Sequence, residues 1–273
     1  MLQDEVRVCA ERKLGKKLEE TELRKVNTVY KGWLIKGERI SGVFPLSRVD
    51  ELADEGFSSE EIADQVVELL TNIPINVKSV SIPETLEEIK PHLFVRISDM
   101  MRNESFLSEV PYREVAPGIA MTIHYLLSSS FENVMSFPVS RKQLSVWRID
   151  EEDLWRAAME NAPQLFPRKI INFFNIEKAR VVTDTVGING AAALFYPGVL
   201  EEVADALETD EGFYIVPSSI CEVLCFAELQ PELKDCLNTI NKNRSLVAET
   251  QVLSDDIFYY DRKRSRVDIA FTN

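Results

Sequence analysis

A chain of 273 residues with 31 Lys and Arg against 45 Asp and Glu carries a net charge of −14 at neutral pH. At that length it can bury roughly 70–75% of the surface its unfolded form exposes, so a core needs no disulfide or metal to hold it. The charge excludes a broad nucleic-acid groove, because binding phosphate backbones depends on cationic groups that displace counterions. Solubility accounts for the acidity, with a carboxylate track that mimics DNA as the sharper alternative.

The first residues, MLQDEVRVCAERKLGKK, mix charges with single apolar residues, so no signal peptide is expected. Residues 2–14 place Leu2, Val6, Cys9, Ala10 and Leu14 at helical spacing. The stretches 26–31 and 33–43 read as strands of a hairpin about Gly32, with Gly37 and Gly42 as turn or bulge positions. Helices over 46–55 and 58–72 follow, separated by Gly56. The second opens on Ser58 with Glu61 three residues on, a capping box, and turns Ile62, Val66, Leu69 and Leu70 inward. Pro74 and Pro83 bracket a stretch, 73–83, that neither period claims, and a boundary is placed there. Residues 1–75 then form a lobe of helix, hairpin and helix pair, and 76–273 a larger α+β domain.

In that second part, a helix at 84–90 leads into a strand at 93–97. Strands at 119–127 and 133–137 pair, and helices at 140–147 and 150–162 follow, with Asp150 at an N-cap. The last third reads as strand 179–184, helix 191–207, strands 213–216 and 220–226, helix 231–241, and strands 257–261 and 266–270. Adjacent strands joined by short turns indicate antiparallel pairing. The fold class is α+β, antiparallel sheets packed with helices in two lobes. The longest apolar run, 215–227, is broken by Pro217, Ser218, Ser219 and Glu222 and falls short of a bilayer span.

Few residues suggest chemistry. The 2 histidines are His92 and His124; the first ends a helix, where a cation meets the dipole favourably, and the second reads as a structurally satisfied strand residue. Cys9, Cys221, Cys225 and Cys236 read as reduced core residues. On a strand Cys221 and Cys225 would lie about 13 Å apart, too far to share a zinc ion. Gly187, Asn189 and Gly190 sit between strand and helix, where backbone N–H groups can meet a phosphate. Their spacing fits neither a Rossmann fingerprint nor a P-loop, and a tight connection is the better reading. Arg262, Lys263, Arg264 and Arg266 mark a basic hairpin turn, read as a solvated turn blunting an edge ahead of an anion or partner site. Glu201 with Asp205, and Glu60 with Glu61, read as hydrated helix-surface acids. No catalytic, cofactor or metal residue is assigned.

The segments KGWLIKGERISGVFPLSRVDELADEGFSSEEIADQVVELL, LWRAAMENAPQLFP, GAAALFYPGVLEEVADAL, FYIVPSSICEVL and VLSDDIFYYDR together resemble an uncharacterised family common in clostridial and related Bacillota, a domain of unknown function, over nearly the whole chain. More distantly, the helix ending ENAPQLFP and the element order after it are similar to another uncharacterised bacillar family. Where the first family would place a histidine after PSSI, this chain has Cys221. The resemblance implies a bacterial, cytoplasmic protein and confers no activity.

Two functions stay open. One is a cytoplasmic, non-enzymatic interaction or regulatory protein associated with a mobile element, with a protein partner and neither nucleic acid nor membrane. It rests on the lack of convergent polar chemistry in the sequence. The other is a small-ligand binder or enzyme with a cleft near the turn from Ser218 to Glu222, which requires the PSSICE, GINGA and YYDR segments to meet.

Overall fold

The computed structural model describes residues 2–25, 27–37, 42–71, 85–129, 134–174, 176–230, 232–243 and 246–270. The chain divides into two compact units, Met1–Ser81 and Ile82–Asn273. The joint expected at 73–83 lies outside the described residues.

The smaller unit begins with helix α1 (Leu2–Leu14), whose first turn holds Asp4 and Glu5 and whose last holds Arg12 and Lys13, the polarity a helix dipole favours. Strands β1 (Leu18–Lys25) and β2 (Thr28–Ile35) follow, turning at Asn27 with φ +64°. The hairpin therefore lies one strand earlier than expected. Gly32 is not its turn; it pairs with Thr21 and Pro45 inside the sheet. A Cβ at Gly32 would stand 2.8 Å from the Phe44 carbonyl oxygen, so the glycine marks a close backbone approach. The charged run LEETELRK concealed β1, an edge strand with no apolar alternation to announce it.

Strand β3 (Phe44–Pro45), helix α2 (Leu46–Asp54) and helix α3 (Ser59–Thr71) complete the unit. The capping box is present: Ser58 N donates to the Glu61 carboxylate at 2.9 Å, and Glu61 N donates to Ser58 Oγ at 3.4 Å. Ile62, Ala63, Val66 and Leu70 face a core with Val6, Ala10, Trp33 and Leu52. Leu69, expected inward, is 43% exposed, since it falls off the row that 62, 66 and 70 make.

The larger unit starts with helix α4 (Leu86–Ile89), a 3₁₀ turn (Lys90–His92) and strand β4 (Leu93–Asp99). Helix α5 (Glu104–Leu107), strands β5 (Tyr112–Ala116), β6 (Ile119–Ser129) and β7 (Val134–Pro138), and helices α6 (Arg141–Trp147) and α7 (Glu151–Leu165) follow. The sheet runs β4-β6-β5, with β7 also paired to β6. Beyond it come strand β8 (Arg168–Asn172), strand β9 (Ala179–Asp184), helices α8 (Gly190–Ala193) and α9 (Val199–Ala206), and strands β10 (Gly212–Val216) and β11 (Glu222–Phe226). Helix α10 (Leu233–Lys242) and strands β12 (Phe258–Asp261) and β13 (Arg266–Ile269) end the chain's regular structure, and the second sheet has the order β13-β12-β10-β11-β9-β8.

Every recorded strand pair is antiparallel, so the class is α+β, as expected. One apolar core joins residues of both sheets and of helix α7, among them Phe94, Ile123, Trp155, Val182, Phe213 and Tyr260. The single helix expected over 191–207 is two, because Gly198, at φ +79° after Pro197, caps the start of α9. Strand β11 opens at Glu222, which leaves Cys221 in the preceding turn and not in the strand.

Candidate functional site

Strand β4 is an edge strand buried on both sides, and Arg96 interrupts its apolar run. Antiparallel register sets Phe94 opposite His124, Arg96 opposite Thr122 and Ser98 opposite Ala120. Directly opposed residues share a sheet face, so Arg96, Ser98, Thr122 and His124 lie together on one polar strip inside the larger unit. His124 Nε2 and Thr122 Oγ1 are 3.1 Å apart, and the Phe94 ring, 5.7 Å from the imidazole, covers it. The other ring nitrogen, Nδ1, has no partner, and neither does Ser98 Oγ. Burial holds the His124 pKa well below the usual histidine value, and the Arg96 charge adds to that effect. The imidazole is neutral at physiological pH. The expectation of a satisfied histidine holds for one nitrogen and fails for the other.

The Arg96 guanidinium makes no hydrogen bond or ion pair with any described residue, and the half-buried side chain keeps contact with solvent. Burial lowers its pKa, opposed by Cys221 and Asp184, both within electrostatic reach. An arginine titrates so high that it stays charged. Every other half-buried arginine among the described residues is engaged. Arg7 donates to the Leu18 carbonyl, Arg48 pairs with Glu51 and Glu55, Arg180 donates to the carbonyls of Glu177, Ala179 and Ala206, and Arg262 pairs with Glu201 and Asp205.

Two loops from the second sheet close around this strip. Asp184, at the end of β9, accepts the backbone N–H groups of Val186 at 2.7 Å, Gly187 at 2.5 Å and Asn189 at 2.7 Å. The amides that could have met a phosphate are thus held by a carboxylate of the chain, and the reading of this segment as a tight connection stands. Asn189 then donates its side-chain amide to the Val95 carbonyl at 2.7 Å. Tyr196, whose hydroxyl is buried without a partner, has its pKa pushed up by burial and by the Asp184 charge.

The second loop is the turn from Ser218 to Glu222. Ser218 Oγ donates to the Glu222 carbonyl at 3.0 Å, and Cys221 N donates to Ser219 Oγ at 3.1 Å, so both hydroxyls serve the turn itself. Thr183 Oγ1 donates to the Cys221 carbonyl at 2.9 Å, and Ala191 N donates to the Ile220 carbonyl at 3.2 Å. Gly190 fits between them because it has no side chain: a Cβ would stand 2.2 Å from the Cys221 carbonyl oxygen. The Cys221 thiol reaches the Ile188 carbonyl at 3.7 Å and accepts from Gln251 Nε2 at 3.8 Å. Burial raises its pKa, although the Ser219 hydrogen bond and the Arg96 charge pull the other way. It is a thiol at neutral pH, not a primed nucleophile.

The PSSICE and GINGA segments therefore meet, while YYDR does not join them. Ile215 pairs with Phe258 at the end of β10 next to the turn, and Gly212 pairs with Asp261 at the far end. There Tyr260 donates its hydroxyl to Glu201, and Arg262 binds Glu201 at 2.8 Å and Asp205 at 2.6 Å. Glu201 and Asp205 are ion-paired, not merely hydrated. Arg264 pairs with Asp261 and Arg266 with Asp268, so acids of the same fold neutralise much of the basic turn. Glu60 likewise pairs with Arg12 and Lys13.

Of the cysteines, Cys225 is buried, Cys9 and Cys221 are half-buried, and Cys236 is exposed, which removes it from the expected core set. His92 stacks on Tyr125 with ring centroids 5.1 Å apart. Among the described residues no three His, Cys, Asp or Glu side chains converge as a metal site. Sequence reasoning missed Arg96. Its signal was a lone cation inside the otherwise apolar stretch LFVRI, on a strand with no exposed face to receive it.

A family model described as a family of unknown function (DUF5688) matches residues 2–262. The chain belongs to this family. DUF5688 extends over both units and includes Arg96, His124, Asp184 and Cys221. No curated protein and no solved structure matches the chain. No helix among the described residues is long and apolar enough to cross a membrane.

Proposed function

We propose that the larger unit is a binding module for a small anionic ligand, held by Arg96. The observation that carries this reading is the unmatched guanidinium. Arg96 is the one half-buried arginine among the described residues whose guanidinium has no acceptor in the fold, so its donors are left to solvent or to an anion that can meet them with paired hydrogen bonds. Binding, and not covalent catalysis, is favoured by the depressed pKa of His124, which makes it a weak general base, and by the raised pKa of Cys221. Solvent contact at Arg96 and Cys221 supports an entry on that side. The four free cysteines support a cytoplasmic location, and the resemblance above supports a source in the Bacillota.

The test is titration with small anions at constant ionic strength, followed by calorimetry, on the wild-type chain and on Arg96→Met. Saturable binding that weakens at least tenfold in the variant is expected. Equal binding by both would sink the reading.

One observation favours the interaction reading as well. Edge strand β8 and the residues after it expose Ile171 at 50%, Phe174 at 83% and Ile176 at 40%. A free edge with apolar side chains suits a partner's extended strand. The convergence at Arg96 removes the argument from missing polar chemistry, so the β8 edge is what this reading now stands on. Cross-linking in native extract should give a partner adduct that disappears when Ile171 and Phe174 are both changed to Lys. An adduct unaffected by the change would contradict it.

A further inference from the structure

The groups around Arg96 narrow the ligand further, and this step rests on the anion-binding reading. We infer that the site takes a small monocarboxylate bearing a hydroxyl group, in preference to a phosphate or sulfate dianion. The first argument is charge. Asp184 lies within electrostatic reach of Arg96, and its carboxylate is already satisfied by three backbone amides. Of the other titratable groups there, His124, Cys221 and Tyr196 are neutral, and the Glu222 carboxylate, within reach of Cys221, adds further negative charge. A single positive charge matches a monoanion. The second charge of a dianion would sit near Asp184 with no cation to meet it. Geometry points the same way, because the planar guanidinium fork matches a planar carboxylate through two parallel hydrogen bonds.

The hydroxyl follows from His124, which is 5% exposed and leaves Nδ1 without a partner on the same strip. Thr122 Oγ1 lies 3.5 Å from the Arg96 carbonyl and 3.1 Å from His124 Nε2, so Nε2 carries the ring proton where Thr122 donates to the carbonyl and Nδ1 carries it where Thr122 donates to the ring. In either tautomer Nδ1 can pair with a hydroxyl, as acceptor or as donor, and the ring lies within electrostatic reach of Arg96. A ligand hydroxyl can pair with it without adding positive charge beside Arg96, which an ammonium group would do.

The experiment ranks acetate, glycolate, lactate, inorganic phosphate and sulfate on the wild-type chain by ¹H–¹⁵N shift titration at fixed ionic strength. Glycolate or lactate should bind about 5- to 10-fold tighter than acetate, as one added hydrogen bond allows, and phosphate and sulfate should bind more weakly than either. His124→Phe should reduce the hydroxy acids to the affinity of acetate. Phosphate or sulfate binding ahead of the carboxylates would overturn this inference while leaving an anion site at Arg96. Acetate equal to glycolate and lactate would overturn the hydroxyl assignment. If no anion binds, or Arg96→Met binds all of them as the wild type does, the anion-binding reading itself fails. The ranking is read on the unaltered chain, so it does not depend on the variant's folding.

Discussion

The side-chain amide of Asn189 donates to the Val95 carbonyl at 2.7 Å, tying the loop after β9 to the outer edge of β4. It is the bond that brings Asp184 and the Cys221 turn up to Arg96, because the loop it anchors is the one Asp184 shapes. Asn189→Ala leaves a buried carbonyl unmatched and should lower stability by about 1–3 kcal/mol in urea unfolding. Asp184→Ala strips three amides of a charged acceptor, and its loss should exceed that of Asn189→Ala.

Gly190 carries a second prediction. With backbone atoms of Cys221 and Thr183 standing 2.2 and 2.4 Å from a would-be Cβ, Gly190→Ala must move backbone, not a side-chain tip. The expected cost is about 2–4 kcal/mol, and anion binding should weaken with it, since the displaced segment is the Cys221 turn. Unchanged thermal stability in this variant would show that the two loops are not packed as described.

The neutral His124 has a pH signature with a definite sign. Its folded pKa lies well below 6.5, so as pH falls through 6.5 the unfolded chain takes up a proton that the folded chain refuses. The unfolded state then binds more protons, and stability drops toward acid by up to about 1.4 kcal/mol per pH unit from this group. Above pH 6.5 both states are neutral there and the contribution vanishes. His124→Gln should therefore show a shallower loss of melting temperature between pH 7 and pH 5 than the wild type. Parallel curves would mean that His124 is protonated as readily in the fold as outside it.

Thiol labelling distinguishes three of the four cysteines. Cys236 is exposed and should react first, while Cys225 should react only on unfolding. Cys221, half-buried and raised in pKa, should label slowly at pH 7.5 and faster toward pH 9. A bound anion should slow it further. Mass spectrometry of partially labelled protein reads the order, and rapid labelling of Cys221 at neutral pH would contradict its assignment as an unactivated thiol.

These predictions concern residues that the sequence made visible to very different degrees. Helix α1 and the box formed by Ser58 and Glu61 were legible because their causes are local: spacing, a cap and an acid three residues on. Strands β5 and β8 were missed because Tyr112, Arg113, Arg168 and Lys169 are exposed and break the alternation that would have marked them. The split of the 191–207 helix was written in Pro197 and Gly198 and was overridden by the apolar stripe on either side. Arg96 was hidden for another reason. Its place depends on which strand lies opposite and which loops fold over the top, and those are tertiary facts that a lone arginine in an apolar run only hints at.

The central claim is that Arg96 meets an anion from solution. Its guanidinium Nε–Hε resonance, assigned by comparison with Arg96→Lys, is the direct reporter. Adding lactate at constant ionic strength should shift that resonance saturably and slow its exchange with water, while the ion-paired Arg262 resonance stays in place. Proportional drift of both signals with no saturation would contradict the account and leave Arg96 as an unmatched charge of the fold.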